Sequence, residues 1–175
     1  MHQQLRNGVD TARRVADGHR DGADRPIGGY VAVMAAFATL VTGSAALARA
    51  TGRQLPDRLA PWDVVLLAAG THKVSRLITK DSVTAPLRAP FTRYTGPAGP
   101  AEVQEEVRAK GGLRHSLGEL LTCPFCLDAW VATVFTIGLV FAPRLTRLVA
   151  GTATALAGSD FLQLAYARAQ RAAEG

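Results

Sequence analysis

Long apolar stretches without charge are the main feature of the hydrophobic pattern along this chain. The clearest stretch runs from Pro26 to Ala48 and contains no charged residue. A bilayer core about 30 Å thick is crossed by about 20 apolar residues in a helix, so this stretch is long enough to span it. A helix on the surface of a soluble domain would show a polar stripe, and none is present here. The pattern therefore predicts a membrane-spanning helix over residues 26–48.

Three further apolar stretches are long enough to span a membrane, but charged residues interrupt them. Residues 61–79 are apolar in their first half and basic in their second half. Residues 124–143 and residues 148–167 each contain one charged residue, Asp128 and Asp160 respectively. Since a helix satisfies all its backbone polar groups in lipid, we expect an all-α integral membrane bundle of about four transmembrane helices. For these three stretches, a buried or interfacial helix of a soluble domain is the alternative.

Polar segments surround and divide the predicted spans. We expect residues 1–25 to form a flexible cytoplasmic segment, residues 26–170 a single transmembrane domain, and residues 171–175 a short tail. The arginine pair at 13–14 and the small residues at 46–48 resemble parts of an export signal. However, 25 residues precede the apolar run, which is also long for a cleaved signal, so we expect an uncleaved anchor.

The central loop, residues 80–123, is the largest predicted polar region. Two prolines predict extended chain close to the lipid headgroups over residues 79–91. A turn is predicted at residues 94–97, and a short polar helix at residues 101–110, which two glycines would stop. A second short helix is predicted over residues 113–121, leading into the third span.

The orientation of the bundle follows from the distribution of lysine and arginine. The N-terminal segment contains five of these residues, the central loop six and the C-terminal tail two, whereas the other two loops contain three and two. We therefore expect both termini and the central loop to be cytoplasmic. The net charge of +6 is explained by basic flanks beside anionic lipid, so no nucleic-acid partner is expected.

Five ionisable residues fall at membrane depth in this topology: His72, Lys73, Arg76, Asp128 and Asp160. Each costs at least about 2.5–3.5 kcal/mol at the centre of a bilayer, so such groups usually pair or face a wet cavity. Their depths predict that Lys73 pairs with Asp160 and Arg76 with Asp128, in the cytoplasmic half of the bundle. Structural pairing is the simpler interpretation, and a polar site for a proton, an ion or an anionic headgroup is the alternative.

Cys123 and Cys126 form a C-x-x-C pair at the start of the third span, where Thr122 suits an N-cap. Thiols at a helix N-terminus gain thiolate character, and such a pair supports either redox exchange or metal binding. His115 and Glu119 are four residues apart and so share one helical face. With the cysteines they could form a zinc site, and four cysteines shared across a dimer could form another. Inert thiols remain a third interpretation, and zinc is the one cofactor that the sequence suggests.

Two segments resemble a known family. The pattern R-L-I-T-x-D-x-x-T-x-P at Arg76 to Pro86 precedes G-E-L-L-T-C-P-x-C-x-x-x-W at Gly118 to Trp130. In this order they resemble the bacterial membrane proteins of the domain of unknown function 1360 family, over roughly residues 28–169. The resemblance implies a small multi-span protein of the bacterial inner membrane with no established activity, and some relatives are associated with sporulating bacteria. The family pattern more usually has a small residue where this chain has Asp128.

No nucleophile–base pair and no phosphate-binding loop is evident, so we do not expect an enzyme. The leading interpretation is a membrane scaffold or accessory protein, whose central loop docks a protein partner or a second copy of the chain. One alternative is a membrane thiol-redox or metal-binding protein that uses Cys123 and Cys126. The other is a small transporter that uses Lys73 and Asp160, although no broken-helix repeat is evident. The lipid bilayer is a partner in each case.

Overall fold

The computed structural model describes residues 4, 6–8, 10–11, 14–15, 25–108 and 110–175, so most of the predicted flexible segment lies outside the described residues. The described chain is mostly helical. Its helices are α1 (Ile27–Ala50), α2 (Pro61–Thr79), α3 (Ala85–Arg88), α4 (Gly112–Thr122), α5 (Pro124–Phe141) and α6 (Pro143–Glu174). A 3-10 turn at Ser82–Thr84 precedes α3, and two strands, β1 (Thr92–Gly99) and β2 (Glu102–Val107), lie between α3 and α4.

The two strands form a hairpin, so the all-α prediction is wrong for the central loop. They pair antiparallel, from Thr92 opposite Val107 to Gly99 opposite Glu102. The turn predicted at residues 94–97 lies within β1, and the helix predicted at residues 101–110 is replaced by β2. Residues 101–110 are rich in good helix formers, but pairing with β1 outweighs that weak local preference.

The chain between α2 and the hairpin is also more helical than its prolines suggest, so the extended conformation predicted for residues 79–91 is wrong. Pro86 lies in the first turn of α3, where its missing amide hydrogen is not needed. The Thr84 hydroxyl donates to the carbonyls of Leu77 and Asp81 and so joins this segment to the end of α2. The second short helix of the loop is confirmed as α4.

Two described helices, α1 and α5, are long and apolar enough to cross a membrane. The structure therefore supports two candidate spans where the sequence predicted about four. Helix α2 contains Asp63, Lys73 and Arg76, and these charges lower its hydropathy. Helix α6 is 32 residues long and includes both the predicted fourth span and the residues expected to form a loop before it. Ala142 leaves the helical conformation between α5 and α6, which ends the third predicted span at Phe141.

Helix α2 lies against both α5 and α6, and these three helices hold the hydrophobic core. The core cluster consists of Leu66, Leu67, Leu127, Val131, Phe135 and Ala150. Gly70 allows a close approach of α2 to α6, because a Cβ there would lie 3.1 Å from the carbonyl oxygen of Ala150. Helix α1 packs on α4 and α5 and leaves most of its apolar surface exposed, as expected of a helix that faces lipid.

Candidate functional site

Cys123 and Cys126 are bonded to each other in a disulfide at the start of α5, with their Cα atoms 5.3 Å apart. Cys123 is the N-cap of α5, and its sulfur accepts a hydrogen bond of 3.2 Å from the backbone N–H of Cys126. The predicted cap, Thr122, instead ends α4, where its hydroxyl donates to the carbonyl of Gly118. The helix therefore presents its positive end to the sulfur of Cys123.

Access to this disulfide is unequal at its two ends. Cys126 is exposed and Cys123 is half-buried. Phe125, between them, leaves 85% of its surface exposed. Pro124 occupies the first turn of α5, where proline is compatible with a helix. Cys126 is therefore the more exposed residue of the pair, while Cys123 caps the helix N-terminus.

The zinc site expected from His115, Glu119, Cys123 and Cys126 is not assembled. The cysteines are bonded to each other, and a zinc ion requires thiolates. The imidazole of His115 lies 3.4 Å from the carboxylate of Glu119, and this carboxylate accepts a 2.6 Å hydrogen bond from the hydroxyl of Tyr30. Across the described part of the chain, no three His, Cys, Asp or Glu side chains are grouped to hold a metal ion. These residues therefore do not fit the metal.

The charged residues of α2 form the second feature of interest. The ammonium group of Lys73 lies 2.7 Å from the carboxylate of Asp160 and 3.9 Å from that of Asp81. The predicted pairing of Lys73 with Asp160 is therefore confirmed. The ring of His72 stacks on that of Phe161, with 6.2 Å between ring centroids. These contacts connect α2 to α6 in the second half of α2.

The predicted pairing of Arg76 with Asp128 is wrong. The guanidinium of Arg76 instead binds the carboxylate of Glu102 at the start of β2, with three hydrogen bonds of 2.6 to 2.9 Å. The prediction failed because residues 101–110 were expected to form a separate helix in the loop. The hairpin instead folds back onto the end of α2 and supplies a closer carboxylate. One oxygen of Asp128 is buried without a hydrogen-bond partner.

A cavity of about 560 Å³ lies where α2, α6 and the tip of the hairpin meet. Its lining includes two cations, Lys73 and Arg76, and three carboxylates, Asp81, Glu102 and Asp160. Each cation already has a carboxylate partner, so the charges of the cavity are largely satisfied within the protein. These ion pairs therefore have a structural role, because they connect the hairpin and α6 to α2.

A buried ion pair that the sequence did not reveal holds the hairpin in place. Arg88 is fully buried, and its guanidinium donates to the carboxylate of Glu105 at 2.7 and 3.2 Å. It also donates to the carbonyls of Ile78 and Asp81 and to the hydroxyl of Thr84. All its nitrogens are therefore bonded. The sequence carried one signal of this pair. Side chains alternate between the two faces of a strand, so in β2 Glu105 shares a face with Val103 and Val107.

A second unpredicted pair lies at the opposite end of α2. The buried carboxylate of Asp63 accepts hydrogen bonds of 2.7 and 2.8 Å from the guanidinium of Arg147 on α6. Asp63 lies within the second apolar stretch and Arg147 directly precedes the fourth. The sequence analysis did not pair them, because both lie outside the group of ionisable residues predicted at membrane depth. Two ion pairs therefore join α2 to α6, one at Asp63 near the start of α2 and one at Lys73 in its second half.

Together, these features define a small helical protein with two candidate membrane spans and a disulfide at the start of one of them. The chain matches the family model described as "Protein of unknown function (DUF1360)" over residues 66–166, and it belongs to this family.

Two curated proteins of Bacillus subtilis (strain 168) are similar to parts of the chain. The sporulation protein YjcA is 32% identical over 71 residues, which are 39% of this chain and 60% of that protein. The UPF0713 protein YngL is 26% identical over 89 residues, which are 51% of this chain and 66% of that protein. The chain thus spans 60% and 66% of the lengths of these relatives. No solved structure matches it.

Proposed function

We propose that the chain is a multi-pass membrane protein that exchanges its Cys123–Cys126 disulfide with a protein dithiol on the cytoplasmic face of a bacterial inner membrane. The observation that carries this proposal is the disulfide at the N-terminus of α5, in which Cys126 is an exposed residue. A C-x-x-C pair at a helix N-terminus combines a thiolate-stabilising position with a partner thiol close enough to close the bond.

The cytoplasmic placement rests on a proposed four-span topology, which has two spans more than the two candidates of the structure. Helices α1 and α5 meet the length and hydropathy of a span, and ion pairs at Asp63 and Lys73 join α2 to α6. Such pairing is how charged helices are tolerated in a bilayer. The N-terminal segment, the central loop and the tail contain five, six and two lysines and arginines, and the remaining loops three and two. This bias favours both termini and the disulfide on the cytoplasmic side.

Two arguments favour exchange over a structural role for the disulfide. Stabilisation by a disulfide grows with the length of the loop that it closes, and these cysteines are only three residues apart. Disulfides that form in the cytoplasm of mesophilic cells are mostly transient, and are catalytic or redox-sensing. The disulfide therefore adds little to the stability of the fold, and it is suited to reversible reduction.

The chemistry is a two-step thiol–disulfide exchange. A thiolate of the partner attacks the sulfur of Cys126, the more exposed residue of the pair, the Cys123–Cys126 bond breaks, and Cys123 leaves as a thiolate. The N–H of Cys126 and the end of α5 stabilise this leaving group. The second thiolate of the partner then attacks its own sulfur in the mixed disulfide and releases Cys126. Two electrons and two protons pass from the partner dithiol to the chain, and the partner gains a disulfide.

The direct test is oxidation of a dithiol peptide by the oxidised protein in detergent. We expect one peptide disulfide formed and two free thiols gained per chain, because the pair accepts two electrons. Cys123→Ser and Cys126→Ser remove the acceptor bond and should abolish this turnover, while His115→Ala, on the neighbouring helix, should retain it. A protein that leaves the peptide reduced, or whose disulfide resists the dithiol, would overturn the proposal.

A second candidate is a non-enzymatic accessory protein whose central loop is a docking surface. In its favour, Val83 and Leu87 leave 83% and 62% of their surfaces exposed on a segment that the buried Arg88 holds rigidly. Rigid exposed apolar side chains suit contact with a partner protein. This candidate differs from the first in expecting that replacement of both cysteines by serine leaves the role of the protein intact.

A further inference from the structure

Phe125 directly precedes Cys126 in the chain and is not packed into the protein. It lies in the first turn of α5 and leaves 85% of its surface exposed. By contrast, Leu127 and Phe135, further along the same helix, are each only 8% exposed. Isolated exposed apolar residues are common on protein surfaces, so exposure alone says little about Phe125. Its position beside the disulfide is what gives it a consequence.

Any partner that exchanges with the disulfide comes within bonding distance of Cys126. In the first step the sulfur of the partner bonds to Cys126, and Cys123 leaves as a thiolate. Two Cα atoms joined through a disulfide lie about 4.4–6.8 Å apart, and consecutive Cα atoms about 3.8 Å apart, so the Cα of Phe125 lies within about 11 Å of that of the partner cysteine. The residues that flank the partner cysteine are therefore within reach of Phe125.

The chain around the disulfide is uncharged. No charged residue occurs between Glu119 and Asp128, and Phe125, Cys126 and Ala129 are exposed residues of α5. The carboxylate of Glu119 is already engaged by the hydroxyl of Tyr30. A partner that approaches Cys126 therefore meets apolar surface, without an adjoining side-chain charge in this stretch to attract a charged segment.

We propose that Phe125 selects the exchange partner, and that the chain exchanges with protein dithiols whose attacking cysteine is flanked by apolar side chains. The inference rests on the proposed disulfide exchange and names the class of its substrate. Contact of apolar flanks with Phe125 removes apolar surface of both molecules from water. Polar or charged flanks would lose hydration against the phenyl ring without gaining a hydrogen bond in return.

The test measures oxidation of two matched dithiol peptides by the oxidised, detergent-purified full-length protein. Leucine flanks each cysteine in one peptide, and serine takes these positions in the other. Each second-order rate constant is divided by that for dithiothreitol, which has no flanking residues. We expect the wild type to prefer the leucine peptide by about tenfold or more, because only this peptide buries apolar side chains against Phe125.

Phe125→Ala should reduce this preference to about twofold or less, and Phe125→Leu, which keeps a large apolar side chain, should retain most of it. Leu162→Ala is the matched control and should retain the full preference, because Leu162 is 73% exposed but lies on α6. Equal rates for the two peptides, or a preference that Phe125→Ala leaves unchanged, would overturn the inference and leave disulfide exchange standing. A disulfide that none of the three dithiols opens would overturn the exchange itself.

Discussion

Replacing Arg88 by methionine is expected to lower the free energy of unfolding by about 3–5 kcal/mol, because it leaves the buried carboxylate of Glu105 without its cation. The guanidinium is fully buried and makes two hydrogen bonds to Glu105. Its other bonds go to the end of α2 and to the 3-10 turn, so the loss weakens the attachment of the hairpin to the bundle. Thermal or denaturant unfolding in a fixed detergent measures the effect.

Arg93 provides a matched control within the same hairpin. Its ion pair with Glu106 has a similar length of 2.8 Å, but the two side chains are 66% and 57% exposed. Arg93→Met should therefore cost only about 0–1 kcal/mol. The double variant Arg88→Met/Glu105→Leu should recover much of the stability, because it removes both buried charges together. Equal effects of Arg88→Met and Arg93→Met would show that the hairpin is not held by the buried pair.

The second large effect is expected when mixed disulfides are trapped in cells. Cys123→Ser should accumulate an adduct between Cys126 and the oxidised form of its protein partner. The Cys126 thiolate attacks the partner disulfide in the reverse of the exchange, and the Cys123 thiolate, which would release the partner by closing the Cys123–Cys126 bond, is absent. Cys126→Ser should accumulate at least about tenfold less adduct, because the remaining cysteine, Cys123, is a half-buried residue at the helix N-cap. Acid quenching, alkylation and non-reducing electrophoresis measure the adducts.

The asymmetry is the informative part of this comparison. The double variant Cys123→Ser/Cys126→Ser sets the background, because it has no thiol to form an adduct. More adduct in Cys126→Ser, which retains Cys123, than in Cys123→Ser would show that Cys123 is the attacked residue. Background levels in both single variants would argue that the pair does not exchange with another protein.

Several features of the fold could be predicted because they follow from local sequence or from the depth of a charge in the predicted bundle. The limits of α1 and α2 follow from the length of the apolar runs and from the flanking glycine, proline and charged residues. The pairing of Lys73 with Asp160 follows from their equal depth on two neighbouring helices. Helix α4 was also predictable, since Gly111 and Gly112 lie at its start.

The hairpin could not be predicted, because its stability comes from contacts between distant parts of the chain. Glu105 and Arg88 are 17 residues apart and Glu102 and Arg76 are 26 apart, so neither ion pair follows from a helical or strand period. Composition favoured a helix at residues 101–110, and the cross-strand partners outweighed it. The failure to predict the hairpin caused the failure to predict the partner of Arg76.

The state of the cysteine pair could not be decided from the sequence either. A C-x-x-C pair at a helix N-terminus fits a metal, a redox pair or inert thiols equally well. What distinguishes them is whether other ligands converge on the sulfurs, and that depends on the tertiary fold. In the structure His115 is directed to Glu119, and the sulfurs are bonded to each other.

The redox state of Cys123 and Cys126 in living cells tests the central claim most directly. Cells are quenched with acid, free thiols are alkylated with a reagent that adds mass, and the protein is resolved by electrophoresis. Disulfide exchange predicts that dithiol and disulfide forms coexist, and that the ratio shifts reversibly when a permeant reductant or oxidant is added. A pair that stays entirely reduced, or a disulfide that no permeant reductant opens, would contradict it.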